Sequence, residues 1–144
     1  MKNIILVFSL LLGLSSNAQK QEVQKTIVYF FEGFHQKDTI KLKSVCVDNM
    51  ILQSISESVT KGNKLSDETA KEFYKSIASI PSTMKFQEKI LSYTIQIDGT
   101  MAHVWAPYEF YLNDKLSHSG VNTFTLFKEK DSWKIIYLID TRRK

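Results

Sequence analysis

The chain has 144 residues, with 19 lysine and arginine residues against 15 aspartate and glutamate residues and a formal net charge of +4 at neutral pH. This length suits one domain with its own core, and the single cysteine, Cys46, excludes an internal disulfide. The positive excess is small and scattered apart from residues 142–144, so it predicts neither a nucleic-acid partner nor a membrane surface.

The first eighteen residues are typical of a secretory signal peptide. Lys2 gives a basic start, a long apolar run follows, and Ser16 and Ala18 are small residues at the two positions that a signal peptidase reads. The apolar run is shorter than the roughly 20 residues that a membrane-spanning helix requires. The sequence therefore predicts a signal peptide over residues 1–18, cleaved near Ala18. It predicts one exported domain over residues 19–144, periplasmic or secreted, that does not span a membrane.

From Gln19 to about Pro81 the apolar side chains recur mostly with a helical period. The apolar stripe of a first helix consists of Val23, Ile27, Phe30, Phe31 and Phe34. Asp38 is predicted to cap a second, short helix, and residues 50–56 alternate as a short strand does. Ser66 is the predicted N-cap of a further helix that Pro81 ends.

After Pro81 the pattern changes to a meander of long strands. The predicted strands cover residues 86–97, 100–112, 115–128 and 133–141. Turns are predicted at Asp98-Gly99 and Asn113-Asp114, and a bulge or bend at Pro107, which cannot donate to a strand ladder. Strands of this length must twist and curl. The predicted fold class is α+β, with N-terminal helices packed into a strongly curved antiparallel sheet.

Two segments carry a resemblance to a known group of proteins. The first helix ends in Phe31-Glu32-Gly33-Phe34-His35, and the meander closes with Asp131-Ser132-Trp133-Lys134-Ile135 after an acidic turn. In this order the chain resembles the nuclear transport factor 2-like superfamily, which includes ketosteroid isomerase, scytalone dehydratase and polyketide cyclases of the SnoaL type. The resemblance implies a cone-shaped domain with a pocket between the helices and the concave sheet face. It also implies a homodimer formed through the sheet.

A carboxylate and an imidazole are predicted to face each other beside the central hairpin. If Asn113 and Asp114 form a two-residue turn, Glu109 lies opposite His118 on the next strand. A neighbouring carboxylate raises the pKa of an imidazole and fixes its orientation, as a general base requires. The two residues are therefore a candidate catalytic pair. The alternative is an ordinary polar pair at an exposed hairpin end.

Asp140 is a second candidate base because it follows the apolar run 135–139 in the last strand. The preceding loop decides its position: three or five residues would place it on the sheet face of Asn122, and two or four on the opposite face. The sequence leaves both open. A carboxylate at the end of a buried strand is a candidate base with a raised pKa. An ion pair with Arg142 or Arg143 is the alternative.

The central strands are rich in aromatic side chains. Trp105, Tyr108 and Phe124, together with Asn122, are candidate pocket residues for a flat or apolar ligand. A core or a dimer interface is the alternative. No close group of histidine and carboxylate residues predicts a metal site, and no glycine-rich phosphate loop predicts a cofactor.

Two functions remain after these exclusions. The first is an exported, non-catalytic module that binds a small apolar or aromatic molecule, or a partner protein, through the cone pocket. The second is a cofactor-free enzyme of the isomerase, dehydratase or cyclase type. Its general base would be His118 with Glu109, or Asp140.

Overall fold

The computed structural model describes the backbone of residues 2–143 and the side chains of residues 17–143. The helices are α1 (Lys2–Gln36), α2 (Thr39–Ser44) and α3 (Ala70–Ser79). The strands are β1 (Cys46–Ser56), β2 (Lys64–Thr69), β3 (Phe86–Ile90), β4 (Thr94–Asp98), β5 (Met101–Leu112), β6 (Lys115–Glu129) and β7 (Ser132–Arg142). This order confirms the predicted α+β class.

The apolar stripe predicted on α1 and the cap predicted for α2 are both present. Val23, Ile27 and Phe30 are buried at helical spacing on α1, so one stripe of this helix faces the core. Asp38 caps α2, because its Oδ1 accepts hydrogen bonds of 3.0 Å from the backbone N–H groups of Ile40 and Lys41. The predicted second helix and its cap are therefore confirmed.

The predicted signal peptide falls mostly on residues 1–16, whose side chains lie outside the described ones. Its cleavage is therefore still a prediction. Within the described residues no helix combines the length and the apolar character that crossing a bilayer requires.

The strands form one curved sheet in the order β2-β1-β7-β6-β5-β3, with β4 also paired to β5. All neighbouring strands are antiparallel except β1 and β7, which are parallel. The sheet is therefore mixed, and the expectation of a purely antiparallel sheet was wrong in this one pair. The cause is the early strand β1, which adds to the far edge of the meander beside the last strand.

The helix predicted to have Ser66 as its N-cap is capped three residues later. Ser66 lies in β2, and the N-cap of α3 is Thr69, whose hydroxyl accepts from the Glu72 backbone N–H at 3.2 Å. Glu72 in turn accepts from the Thr69 N–H at 2.9 Å, which completes a capping box. Thr69 therefore caps α3 in place of Ser66, which has a side-chain hydroxyl of the same kind.

The long strand predicted over residues 86–97 is two strands, β3 and β4, which pair with different parts of β5. Pro107 lies between the two paired stretches, where its carbonyl accepts from the Leu91 N–H at 2.8 Å and no strand ladder requires its missing N–H. The bulge or bend predicted at Pro107 does not interrupt the pairing with β6, whose register runs unbroken from Met101 to Phe110. The irregularity falls on the other side of β5, where the register shifts by one residue between β3 and β4.

The core lies between the helices and the concave face of the sheet. Alternate residues of the two central strands point into it and are buried: Ala102, Val104, Ala106, Tyr108, Gly120, Asn122, Phe124 and Leu126. Phe124 packs edge-to-face against Phe30 and Phe31, with ring centroids 5.8 and 5.9 Å apart. Cys46 is also buried, and burial raises the pKa of its thiol to about 12, which makes it an inert small hydrophobe.

Candidate functional site

A cavity of about 710 Å³ lies between the helices and one end of the concave sheet face. We call it the aromatic cavity, because its helix side is lined by the rings of Phe30, Phe31, Phe34 and Phe73. The rings of Phe30 and Phe34 each stack with Phe73, at centroid distances of 6.1 and 6.4 Å. Phe73 thus joins α3 to α1, and the three rings form one continuous apolar wall.

The sheet side of the aromatic cavity is polar, and Glu88 is its most informative residue. Glu88 lies on β3, and its Oε1 accepts a hydrogen bond of 2.5 Å from Asn122 Nδ2 on β6. Burial raises the pKa of Glu88 to about 7, although the Asn122 hydrogen bond opposes that change. Nearby Asp140 raises it further. A carboxyl group in this state can accept or donate a proton near neutral pH.

A second polar group on the same side is centred on Asp140. Its Oδ2 accepts from Tyr108 Oη at 3.1 Å and from Arg142 Nε at 2.8 Å. The Tyr108 hydroxyl also lies 2.9 Å from the backbone carbonyl of Thr141. Burial, with Asp140 beside it, raises the pKa of Tyr108, so this phenol stays protonated and donates. Asp140 is therefore held in place by two donors, the Tyr108 hydroxyl and the Arg142 guanidinium.

Asp140 shares a sheet face with Asn122 because of a bulge. The turn between β6 and β7 has two residues, Lys130 and Asp131, which alone would place Asp140 on the opposite face. The register shifts by one residue at Ile136, and Asn122 then pairs with Asp140. Asp140 lines the cavity and forms the ion pair with Arg142 that was the alternative expectation, while its role as a base stays a prediction.

The predicted pair of Glu109 and His118 does not form. Leu112 faces Lys115 as expected, but β6 carries an extra residue, Ser117, so that His118 pairs with Phe110 and Glu109 with Ser119. Adjacent residues of a strand point to opposite faces, which separates Glu109 from His118.

Both side chains have other partners. Glu109 accepts from the Tyr111 hydroxyl at 2.7 Å, and the His118 ring stacks on Phe110 at 4.9 Å. Neither residue lines the aromatic cavity.

No protein-family model matches the chain, and no curated protein sequence does. Solved structures do match. A nuclear transport factor 2-like protein from Cytophaga hutchinsonii is 14% identical, with a TM-score of 0.70 over 87% of this chain and 98% of that one. A proposed dehydratase of the nuclear transport factor 2-like family from Streptomyces avermitilis is 15% identical, with a TM-score of 0.68 over 90% and 99%. The chain has the nuclear transport factor 2-like fold.

One further match comes from a protein with a different assignment. The β subunit of a proposed aromatic-ring-hydroxylating dioxygenase from Novosphingobium aromaticivorans is 9% identical, with a TM-score of 0.72 over 90% of this chain and 92% of that one. At such identities the matches establish the nuclear transport factor 2-like fold and leave the chemistry to the residues of the site.

Within this nuclear transport factor 2-like fold the predicted pocket residues occupy different places. Asn122 is 4% exposed and lines the aromatic cavity. Tyr108 lies behind the cavity and holds Asp140, while Phe124 is buried in the core. Trp105 was wrongly placed, because it points to the convex face and is 50% exposed. The corrected register accounts for Trp105, which pairs with Thr123 and not with Asn122.

Sequence reasoning missed Glu88, although a signal was present. Phe86, Glu88 and Ile90 alternate with Gln87 and Lys89, and the apolar pair at either side of Glu88 predicts that all three point inward. An acidic residue on the buried face of a strand is unusual and marks a candidate site.

The site can offer acid–base and hydrogen-bonding chemistry from its own side chains. Within the described residues no group of three histidine, cysteine or carboxylate side chains is arranged to hold a metal ion. Glu88 can exchange a proton, Asn122 can donate to it, and Arg142 presents a positive charge at the cavity edge. The apolar wall opposite these groups suits a ligand with one apolar and one polar end.

Proposed function

We propose that this protein is an exported module that binds a small molecule with an apolar body and a polar end in the aromatic cavity. One observation carries the proposal: a wall of phenyl rings from α1 and α3 faces a polar surface that includes Glu88 and Asn122. The cavity volume of about 710 Å³ falls within the range of roughly 300–1,000 Å³ that small-molecule sites occupy.

Fluorescence titration with N-phenyl-1-naphthylamine tests this proposal, because this uncharged compound brightens in apolar surroundings. We expect saturable binding to the purified protein and its loss in Leu138→Trp, which fills the cavity from β7. Ile139→Trp is the matched control, since the neighbouring residue points to the other face of the strand. Absent binding, or equal binding by both variants, would contradict the proposal.

A second candidate function is proton transfer catalysed by Glu88. The favouring observation is the raised pKa of Glu88, about 7, because a general base works best when its pKa lies near the working pH. Glu88 takes the place that the sequence suggested for His118 with Glu109, and Asp140 beside it is already paired with Arg142. In this reading Asn122 and Tyr108 fix the carboxyl groups, and the aromatic wall excludes water from the reacting atoms.

Deuterium exchange into 2-tetralone tests this second candidate, since its ring-activated hydrogens next to the carbonyl are acidic. We expect the protein to accelerate exchange above the buffer rate, and Glu88→Gln to abolish the acceleration. Glu109→Gln, on the convex face, should leave it unchanged. If the protein binds the naphthylamine but accelerates no exchange, the module binds without this chemistry.

We also propose that two copies of the chain associate through the convex sheet face. Large apolar side chains are exposed there: Ile51, Met101, Trp105 and Phe127. Burying them in an interface would remove this apolar surface from water. Light scattering after size exclusion should give twice the chain mass, and Trp105→Lys should give the monomer. A monomeric parent protein would contradict this assignment.

Export rests on the first eighteen residues and has its own test. Val23 is the first buried residue of the described side chains, so cleavage after Ala18 would leave the buried stripe of α1 intact. Mass spectrometry of the protein outside the cytoplasm should find Gln19 as its first residue. Recovery of the uncleaved chain from the cytoplasm alone would exclude export.

A further inference from the structure

The aromatic cavity is acidic, although the chain as a whole carries a net charge of +4. The carboxyl groups that line it are Asp67, Glu68, Glu72, Glu88 and Asp140. The only cationic side chains among the described residues that line it are Lys64 and Arg142. A cleft lined mainly by one sign of charge attracts ligands of the opposite sign, here cations.

Most of this negative charge has no cationic partner. Arg142 is paired with Asp140 at 2.8 Å, which leaves Lys64 as the one lining cation for the other carboxyl groups. Among the described residues no salt bridge involves the remaining four. Three of them accept from uncharged donors instead: Asp67 from Gln53 at 2.6 Å, Glu68 from Ser76 at 3.3 Å, and Glu72 from Thr69 at 2.7 Å.

Glu88 brings this charge to the inner end of the cavity with one oxygen free to bind. Asn122 donates to Oε1, and no described residue donates to Oε2. Trp133 Nε1 is the one enclosed side-chain polar atom without a partner among the described side chains. Glu88 thus lines the cavity with a carboxylate oxygen, Oε2, that receives no hydrogen bond from the described residues.

The apolar wall, like the carboxyl groups, favours a positively charged ligand. Phenyl rings carry partial negative charge on their faces and attract a cation within about 6 Å of the ring centroid. The rings of Phe30, Phe34 and Phe73 line the same cavity as Glu88. An anion would meet the carboxyl groups on one side and phenyl rings on the other.

We propose that the aromatic cavity selects an organic ammonium ion with an aromatic or other apolar body over neutral and anionic molecules of the same shape. The ammonium group bonds to Oε2 of Glu88, and the apolar body packs along the phenyl wall. This inference rests on the proposed binding function and names its ligand class.

Displacement of N-phenyl-1-naphthylamine by three compounds with one body tests the inference. The compounds are 1-naphthylmethylamine, 1-naphthylmethanol and 1-naphthoate, which are cationic, neutral and anionic. We expect the amine to bind about tenfold more tightly than the alcohol, and the naphthoate more weakly than both. Added salt should weaken only the amine, because its attraction is electrostatic.

Glu88→Gln should lower the amine affinity about tenfold and leave the alcohol affinity unchanged. Glu109→Gln, on the convex face, is the matched control, and Glu68→Gln at the cavity mouth is the second variant if Glu88→Gln fails to fold. Amine affinity should also rise from about pH 6 to about pH 8 as Glu88 ionises. The charged and titratable groups that face Glu88 are His35, Tyr108, Asp140 and Arg142.

The outcomes separate the two proposals. If the naphthylamine dye binds but the alcohol or the naphthoate displaces it as well as the amine does, the ligand class is wrong and the binding function stands. If the dye does not bind at all and none of the three compounds does, the binding function fails and the inference fails with it.

Discussion

Two cavities of nearly equal volume, about 710 and 730 Å³, lie on the two sides of β3. Glu88 lines the aromatic cavity, and its neighbours Gln87 and Lys89 line the other, which also contains His35, Lys37, Ser82, Met84, Lys85, Phe86, Tyr111 and Asp114. We call the second the basic cavity because of its three lysines. Because the two cavities have nearly the same volume, any difference between them must come from the residues that line them.

The hydrogen-bonded polar groups of the basic cavity serve the fold. Lys37 Nζ donates to the backbone carbonyls of Pro81 and Met84, at 2.6 and 3.1 Å, and lies 5.7 Å from the centre of the Phe86 ring. The Asn113 N–H donates to the Lys85 carbonyl at 2.9 Å, and the Lys85 N–H donates to Asn113 Oδ1 at 3.3 Å. These bonds tie the loop after α3 to the rest of the chain.

The aromatic cavity differs in leaving part of its polar chemistry open. Glu88 has an oxygen without a donor from the described residues, and its pKa is raised to about 7. A site is therefore better recognised by polar groups that the fold holds but does not satisfy than by volume. The predictions below test this distinction.

The largest effect is expected from Gly120→Ala, which would break the aromatic cavity from behind. A Cβ at Gly120 would lie 1.7 Å from the Thr141 carbonyl oxygen and 2.9 Å from Tyr108 Cε1. Backbone must move to relieve such a clash, so we expect the free energy of unfolding to fall by about 3 kcal/mol or more. Urea unfolding measures it, and dye binding should be lost because Tyr108 no longer holds Asp140.

Gly99→Ala is the matched control for Gly120→Ala. Gly99 has φ +57° with open space around its Cβ position, so only backbone strain of about 1–2 kcal/mol is expected, with dye binding retained. Equal losses of stability in both variants would contradict the close packing assigned to Gly120.

The next largest effect is expected in the pH dependence of stability. The pKa of Glu88 is about 7 in the folded protein against an ordinary 4.5, so the folded state holds this proton more tightly than the unfolded state does. The free energy of unfolding should therefore fall as pH rises from about 4.5 to about 7 and then level off. At about 1.4 kcal/mol per pKa unit, the fall is at most about 3 kcal/mol.

Glu88→Gln should remove this fall and leave a protein that is more stable than the parent at about pH 8. Burial lowers the pKa of His35, which acts in the opposite sense at acid pH, but both proteins contain His35 and the difference between them cancels it. Glu129→Gln at the exposed end of β6 is the matched control. A parent and a Glu88→Gln variant with parallel pH profiles would refute the raised pKa.

Much of the fold was predictable because it follows local chemistry. The Asp38 cap, the apolar stripe of α1 and the alternating strands after Pro81 need only short-range patterns. β2 was missed because all of its residues are exposed, so no alternation marks it, and because Ser66 has the chemistry of an N-cap.

The site was less predictable because single extra residues decide which side chains meet. Ser117 and Ile136 each shift a register by one residue, which separates Glu109 from His118 and brings Asp140 to Asn122. Neither bulge has a proline or glycine to mark it. The inward direction of Glu88 could be predicted without knowing how its strand pairs, since the alternation within that strand indicated an inward carboxylate.

A smaller effect is expected at the mouth of the aromatic cavity from Thr69→Ala. The change removes the hydroxyl that caps α3 and bonds to Glu72, so the free energy of unfolding should fall by about 1 kcal/mol. Thr69→Ser keeps the hydroxyl and should unfold close to the parent in urea. If the two variants lose the same stability, the methyl group and not the cap holds this helix end.

The smallest effect is expected from Lys37→Met in the basic cavity. The change removes two hydrogen bonds to backbone carbonyls at the protein surface, so we expect a loss of about 0.5 kcal/mol in urea unfolding and unchanged dye affinity. Lys89→Met is the matched control, since no described residue hydrogen-bonds to its ammonium group, and it should change neither quantity. Weaker binding of 1-naphthoate by both variants would instead make the basic cavity an anion site. In that case its lysines would bind a ligand as well as hold the loop.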